Sequence, residues 1–164
     1  MRVETERMYL YSLSDEEIRL VIEKESDPEM KQAYTEMLEG SLSNPDKRIW
    51  YAIWNMELKD DPETIVGDFC FKGFGDDGVI EIGYGLKEEY RHHGYMTEAV
   101  KAITEWALSQ DGVKQVEAET DAENLASQKV LFRTGFIRNG KIGEEGPRFV
   151  YGCKEGMKKY TNGH

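Results

Sequence analysis

Apolar residues recur along this chain with two periods, and the points where one gives way to the other mark its elements. Thr5 to Leu13 (TERMYLYSL), rich in Met, Tyr and Leu, reads as a first strand. Ser14 opens S-D-E-E, a capping box with Glu17 at its third position, and Ile18, Val21 and Ile22 form the apolar stripe of a short helix. Asp27-Pro28 caps a second helix, in which Met30, Ala33, Tyr34, Met37 and Leu38 share one face up to Gly40. Three strand-like runs follow: Arg48 to Glu57, Thr64 to Lys72 and Gly78 to Leu86. The connections KDDPE and GFGDD suit hairpin turns, so the runs form an antiparallel meander. The helical period returns at Met96, Ala99, Val100, Ile103 and Ala107, with Trp106 beside them, and Asp111-Gly112 ends that helix. Val113 to Glu119 alternates as a strand. Asn124 starts a last helix through Ala126, Val130 and Leu131 to Gly135 at its C-terminal cap, before final strands around Phe136 to Ile142 and Arg148 to Cys153.

The order β-α-α-β-β-β-α-β-α-β-β predicts one α/β domain, an α+β arrangement of about seven strands and about four helices. The strand-helix-strand step implies a right-handed parallel crossover, so an otherwise antiparallel sheet is mixed near its centre. No internal repeat, low-complexity tract or linker composition marks a domain boundary within the 164 residues.

Charge narrows the partners. With 21 Lys and Arg against 32 Asp and Glu, the formal charge is −11, which disfavours nucleic acid or an anionic membrane as a partner through a broad basic face. No stretch approaches the roughly 20 apolar residues of a membrane helix, and the first residues lack the pattern of a signal peptide, so the expected location is cytoplasmic. Cys70 and Cys153 lie far apart with no zinc or redox spacing, and are expected to be buried free thiols.

Chemistry concentrates where the third meander strand meets the next helix, G-Y-G-L-K-E-E-Y-R-H-H-G-Y-M-T-E-A, residues 83 to 99. The first N–H groups of a helix have no intrahelical partner and bind anions. Gly94 permits close backbone approach, and Arg91, with His92 or His93 when protonated, adds local positive charge. On these residues alone, a plain helix start and a phosphate site both stand.

Arg91-His92-His93-Gly94-Tyr95-Met96 resembles the R/Q-x-x-G-x-G/A pyrophosphate loop of the GNAT superfamily of acetyl-CoA-dependent N-acetyltransferases. The surrounding I-E-I-G-Y and G-Y-M-T-E-A are similar to the Rim-type branch, which includes ribosomal-protein-alanine N-acetyltransferases. Thr5-Glu6-Arg7-Met8 with Leu10 and Leu13 resembles that branch's opening. Ile65-Val66-Gly67 resembles its I-G strand, and Asn124-x-x-Ser127-x-x-Val130-Leu131 up to Gly135-Phe136 resembles its N-x-x-S…G-F helix. The resemblance runs from residue 5 to about residue 152. It implies acetyl-CoA as cosubstrate and no metal, with the coenzyme in a V-shaped opening between the splayed strands 78 to 86 and 113 to 119. A bulge in the first strand would free the backbone of Tyr84, Gly85 and Leu86 to pair with pantetheine as an added strand. The loop Arg91 to Met96 would hold the pyrophosphate, and Asn124 and Ser127 would lie along the pantetheine arm. Asn124 is also a plain helix cap.

Two departures from the pattern matter. Met96 stands where the loop has a small residue, and its flexible thioether is expected to turn into the core. Leu131 occupies the slot where many members carry the Tyr that protonates the leaving thiolate. Glu81, shortly before the pantetheine-pairing backbone, is the expected base, and Ser127 is the expected thiolate donor ahead of Tyr84 or a water. Neither cysteine has an evident His partner, so direct transfer in a ternary complex is expected. The adjacent His92 and His93 have poor spacing for a metal on one element. The acceptor class is a primary amine, either a protein N-terminus or a small molecule such as a polyamine, amino acid or aminoglycoside, and the acidic charge tilts it toward a cation. The oligomeric state, a homodimer included, is open. A second reading, a coenzyme-binding sensor that has lost turnover, follows from the missing Tyr.

Overall fold

The computed structural model describes residues 1–152, so the expectation for Cys153 lies outside the described residues. The strands are β1 (Arg2–Glu4), β2 (Met8–Ser12), β3 (Ile53–Leu58), β4 (Ile65–Phe71), β5 (Val79–Leu86), β6 (Gln115–Glu119), β7 (Ile137–Ile142) and β8 (Pro147–Gly152). The helices are α1 (Asp15–Lys24), α2 (Pro28–Ser43), α3 (Tyr95–Leu108) and α4 (Leu125–Thr134), with short 3-10 turns at Pro45–Trp50 and Glu88–Tyr90. All eight strands form one open sheet in the order β1-β2-β3-β4-β5-β6-β8-β7. Only β5 and β6 run parallel, joined by α3, as the strand-helix-strand step requires.

The structure differs from the sequence reading in two elements. An added N-terminal strand, β1, folds back on β2 with Val3 opposite Leu10, and Thr5 to Arg7 make the turn between them. The run from Arg48 is a 3-10 turn up to Trp50, and extended backbone begins only at Ile53. Pro45 starts that turn, and Trp50 is buried against Phe71, Phe74 and Trp106. Aromatic content fitted a strand, but burial of the indole rather than a ladder satisfies this segment.

Each sheet face has its own core. On one, Trp54, Phe69, Phe71, Ile80 and Ile82 pack against Met96, Ala99, Val100, Ile103 and Ala107 of α3 and Leu131 of α4. On the other, Leu13, Ile18, Tyr34, Ala52 and Ile53 join α1 and α2 to the sheet edge. The capping box at Ser14 is formed in both directions, and Asp27 caps α2 by accepting from the Glu29 N–H. Met96 is buried among the core residues, so the bulky side chain in the loop turns inward.

β4 lies unusually close to β5 at Gly67, paired with Leu86. A Cβ on Gly67 would stand 2.5 Å from the Gly85 carbonyl oxygen and 3.1 Å from Leu86 Cα, both backbone atoms that do not yield. Gly67→Ala is therefore expected to destabilise the fold by about 1–3 kcal/mol through forced strand separation. Urea unfolding at fixed pH measures it, and an unchanged midpoint would contradict the close approach.

Candidate active site

β5 and β6 are in register from Val79↔Gln115 to Ile82↔Ala118, and β5 then continues to Leu86 without β6 beside it. The expected bulge is absent from β5, because its pairing with β4 is unbroken from Phe71↔Ile82 to Gly67↔Leu86. Divergence of the two strands, not an inserted residue, opens the gap. Lys72 N donates to the Glu81 carbonyl at 2.8 Å and Lys87 N to the Val66 carbonyl at 2.9 Å. Residues 81, 83, 85 and 87 thus turn their main-chain groups toward β4, while Lys114 N donates to the Gly78 carbonyl and sets the even-numbered residues toward β6. Tyr84 and Leu86 consequently present N–H and C=O groups to the gap. Gly85, expected alongside them, spends its own on β4.

A cavity of about 330 Å³ occupies the gap, lined in part by Ile82, Tyr84, Thr120, Asn124 and Ser127. Asn124 caps α4, accepting from Ser127 N at 3.0 Å, so cap and cavity wall are the same residue. That bond leaves the Ser127 hydroxyl to meet the Tyr84 hydroxyl at 2.9 Å. Burial pushes the Tyr84 phenol up to about 12, with Ser127 opposing the shift, so it is fully protonated at neutral pH. Leu131, in the slot of the usual acid, is fully buried in the core and takes no part.

The loop before α3 has the predicted shape. Gly94 (φ 78°) and His92 (φ 69°) both adopt left-handed backbone, and the first α-helical bond of α3 runs from Glu98 N to the Gly94 carbonyl. Four consecutive N–H groups at its start thus lack helical partners. Arg91, His92, His93 and Gly94 are exposed, and Tyr95 is half-buried. A network that sequence reasoning missed holds this loop. Glu98 accepts from Thr5 Oγ1 at 2.6 Å, Arg7 N at 2.9 Å and Arg7 Nε at 2.8 Å. Arg7 also donates to the His93 carbonyl and covers the Tyr95 ring. Burial alone would raise the Glu98 carboxyl, but hydrogen bonds from Thr5 and Arg7 outweigh it and hold the group below its usual range. Both halves of this network lay in quoted motifs, T-E-R and T-E-A, yet nothing in the sequence joins residues so far apart.

Glu81 is placed differently from the expectation that it acts as the base. Its oxygens pair with Lys72 Nζ at 2.7 Å and Arg148 Nη2 at 2.9 Å, and Arg148 also binds Glu119 at 2.6 Å. Both oxygens of this carboxylate are therefore engaged by cations. Its place is in a charge ladder across β4, β5, β6 and β8.

On the same sheet face a second cavity, of about 270 Å³, lies beneath α2. Met30, Tyr34 and Met37 roof it, Ile53 and Cys70 wall it, and the side-chain-free Gly83 and Gly85 form its floor. It meets the first cavity at Gly83 and Tyr84, which line both. Desolvation pushes the half-buried Cys70 up to about 11, so it stays a thiol. Among the described residues no group of three His, Cys, Asp or Glu side chains is disposed to hold a metal, and no helix is long and apolar enough to cross a membrane.

The gap between the diverging parallel strands, the helix start with its free N–H groups and the adjoining second pocket together frame one candidate site. Residues 3–137 match the acetyltransferase (GNAT) domain family, and the chain belongs to it. The N-acetyltransferase YjdG of Bacillus subtilis is 41% identical over 92 residues, 56% of this chain and 54% of that protein, so the match spans about half of that relative. YnaD of the same organism is 23% identical over 145 residues, 85% of each chain. Among solved structures, RimL, described as a ribosomal L7/L12 alpha-N-protein acetyltransferase in complex with coenzyme A, superimposes with a TM-score of 0.69. It is 11% identical, covers 93% of this chain and 98% of that one, and so shares the fold.

The Glu98 network yields a prediction with a definite sign. Because the folded carboxyl sits below its unfolded value, its stabilisation is present above that unfolded value and is lost as pH falls through the folded one. Glu98→Gln is expected to flatten the acid limb of stability against pH and to weaken acetyl-CoA binding about tenfold, the scale of one charge-assisted hydrogen bond. Urea titrations across acid pH and calorimetric titration with acetyl-CoA check the two effects.

Proposed function

We propose that this protein transfers the acetyl group of acetyl-CoA directly to a primary amine within a ternary complex. The observation that carries this reading is the meeting of two cavities at the Gly83–Tyr84 backbone, one along the free edge of β5 and one under α2. In it, the N–H groups of the Gly94 loop hold the pyrophosphate, helped by Arg91 and by His92 or His93 when protonated. The Tyr84 and Leu86 main chain pairs with the pantetheine amides as an added strand, with Asn124 and Ser127 alongside. The thioester then lies at the junction, where a β5 N–H polarises its carbonyl as oxyanion-hole donors do.

The departing thiolate needs a proton and Leu131 cannot give one. The Tyr84 hydroxyl, which meets Ser127 and belongs to a residue lining both cavities, takes that part in this reading. Tyr84 thereby takes from β5 the part that α4 lacks, which favours an enzyme over a silent sensor. Cys70 supports direct transfer, since a thiol held protonated and without a histidine beside it is a weak nucleophile. The acceptor is a primary amine, a protein N-terminus or a small molecule, and the −11 charge favours one that arrives as a cation.

Incubation with acetyl-CoA and an amine panel, following free thiol, tests the reading; absence of acetyl-CoA binding would overturn it. Tyr84→Phe is expected to lower kcat by about 10²-fold while leaving acetyl-CoA affinity nearly unchanged, and a fully active variant would remove Tyr84 from the proton path.

A further inference from the structure

The cavity under α2 contains one carboxylate that no described cation pairs with. Asp68 lies on β4 opposite Gly85, on the sheet face that α2 covers. Its Oδ2 accepts from the Tyr34 hydroxyl at 3.3 Å. Its Oδ1 lies 3.8 Å from where a Cβ on Gly85 would stand, so it hangs over the glycine floor beside the junction of the two cavities. Glu81, on the same face, has both oxygens taken by Lys72 and Arg148. Of the two carboxylates, Asp68 alone faces the pocket with an oxygen available.

The pocket's other side chains are mainly apolar, Met30, Met37 and Ile53 with the half-buried Cys70 thiol, and the Tyr34 hydroxyl is turned to Asp68. Resting on the acetyltransferase reading above, we propose that this pocket takes a small primary amine bearing an apolar substituent, and that the Asp68 carboxylate receives its ammonium group and removes a proton. A polyamine would press a second ammonium against methionine and isoleucine, and an aminoglycoside would bury hydroxyls without partners, both at a desolvation cost. An aliphatic or aromatic group meets instead the adaptable thioethers of Met30 and Met37.

The step balances. The ammonium gives one proton to Asp68, and the freed nitrogen lone pair forms the C–N bond to the thioester carbonyl carbon. Collapse breaks the C–S bond, and its electron pair leaves on sulfur. A second nitrogen proton passes to sulfur by way of the Tyr84 hydroxyl, and Asp68 releases its own to solvent, leaving amide, free thiol and one proton. Burial lifts Asp68 above the usual carboxylate range; Tyr34 and the charge of Lys87 oppose that shift, and the charge of Glu25 adds to it. A raised carboxylate is a better base near neutral pH.

The test compares hexylamine and 2-phenylethylamine with spermidine, kanamycin and an alanine-initiated tetrapeptide, by thiol release from the full chain. The apolar monoamines are expected to show at least about tenfold higher kcat/KM, and Asp68→Asn to lose about 10²-fold or more in kcat with acetyl-CoA affinity and circular dichroism unchanged. Tyr34→Phe removes a hydrogen bond that lowers Asp68, so the acid limb of its kcat/KM profile should move to higher pH. Preference for spermidine, kanamycin or the peptide, or an Asp68→Asn variant of full rate, overturns this inference while leaving the transferase reading intact. Thiol release with none of the amines despite acetyl-CoA binding overturns it as well, whereas failure to bind acetyl-CoA brings down the transferase reading itself.

Discussion

The molecule turns on two parallel strands that begin paired and then part. Up to Ile82 and Ala118 their hydrogen bonds close on each other. Beyond, β5 keeps β4 on one side and has no strand on the other, and backbone N–H and C=O groups left unpaired are costly unless something else satisfies them. The Gly94 loop, α3 and α4 are placed by the same crossover that puts β6 beside β5, so cleft and loop come as one unit.

Around this gap the two sheet faces do different work. The face under α3 is packed with aromatic and branched side chains that fix the strand positions. The opposite face carries, at its centre, two glycines and a line of charges. Gly83 and Gly85 leave floor space, Lys72, Glu81, Arg148 and Glu119 neutralise one another at one side, and Asp68 stays out of that ladder. Pairing on one side and isolation on the other give chemically similar carboxylates different surroundings.

Much of this was legible in the chain. Helix limits followed from Ser14, Asp27, Asn124 and Gly135, whose capping chemistry is local and has few alternatives. Period two marked the meander, and the strand-helix-strand order required a parallel pair at the centre. The Gly94 loop, Met96 turned inward and Asn124 as cap were all read from residues a few positions apart. Errors arose where backbone and side chain disagree: the Arg48 run looked like a strand because its aromatics suit one, and the β5 bulge was expected where only divergence was needed.

Sequence by itself determined the class of fold, the shape of the Gly94 loop and the family, because capping, periodicity and glycine placement are short-range requirements written in adjacent residues. Tertiary structure alone decided the roles of the charged groups. Glu81 and Asp68 are both acidic residues on alternating strands, and nothing near either one in the chain tells them apart. Arg148 arrives from β8 to occupy Glu81, Tyr34 arrives from α2 to meet Asp68, and Thr5 and Arg7 cross to Glu98 from the N-terminal turn. A carboxylate's basicity is set by burial and by the charges and donors within a few ångströms, and those neighbours are chosen by the fold, not by the sequence beside them.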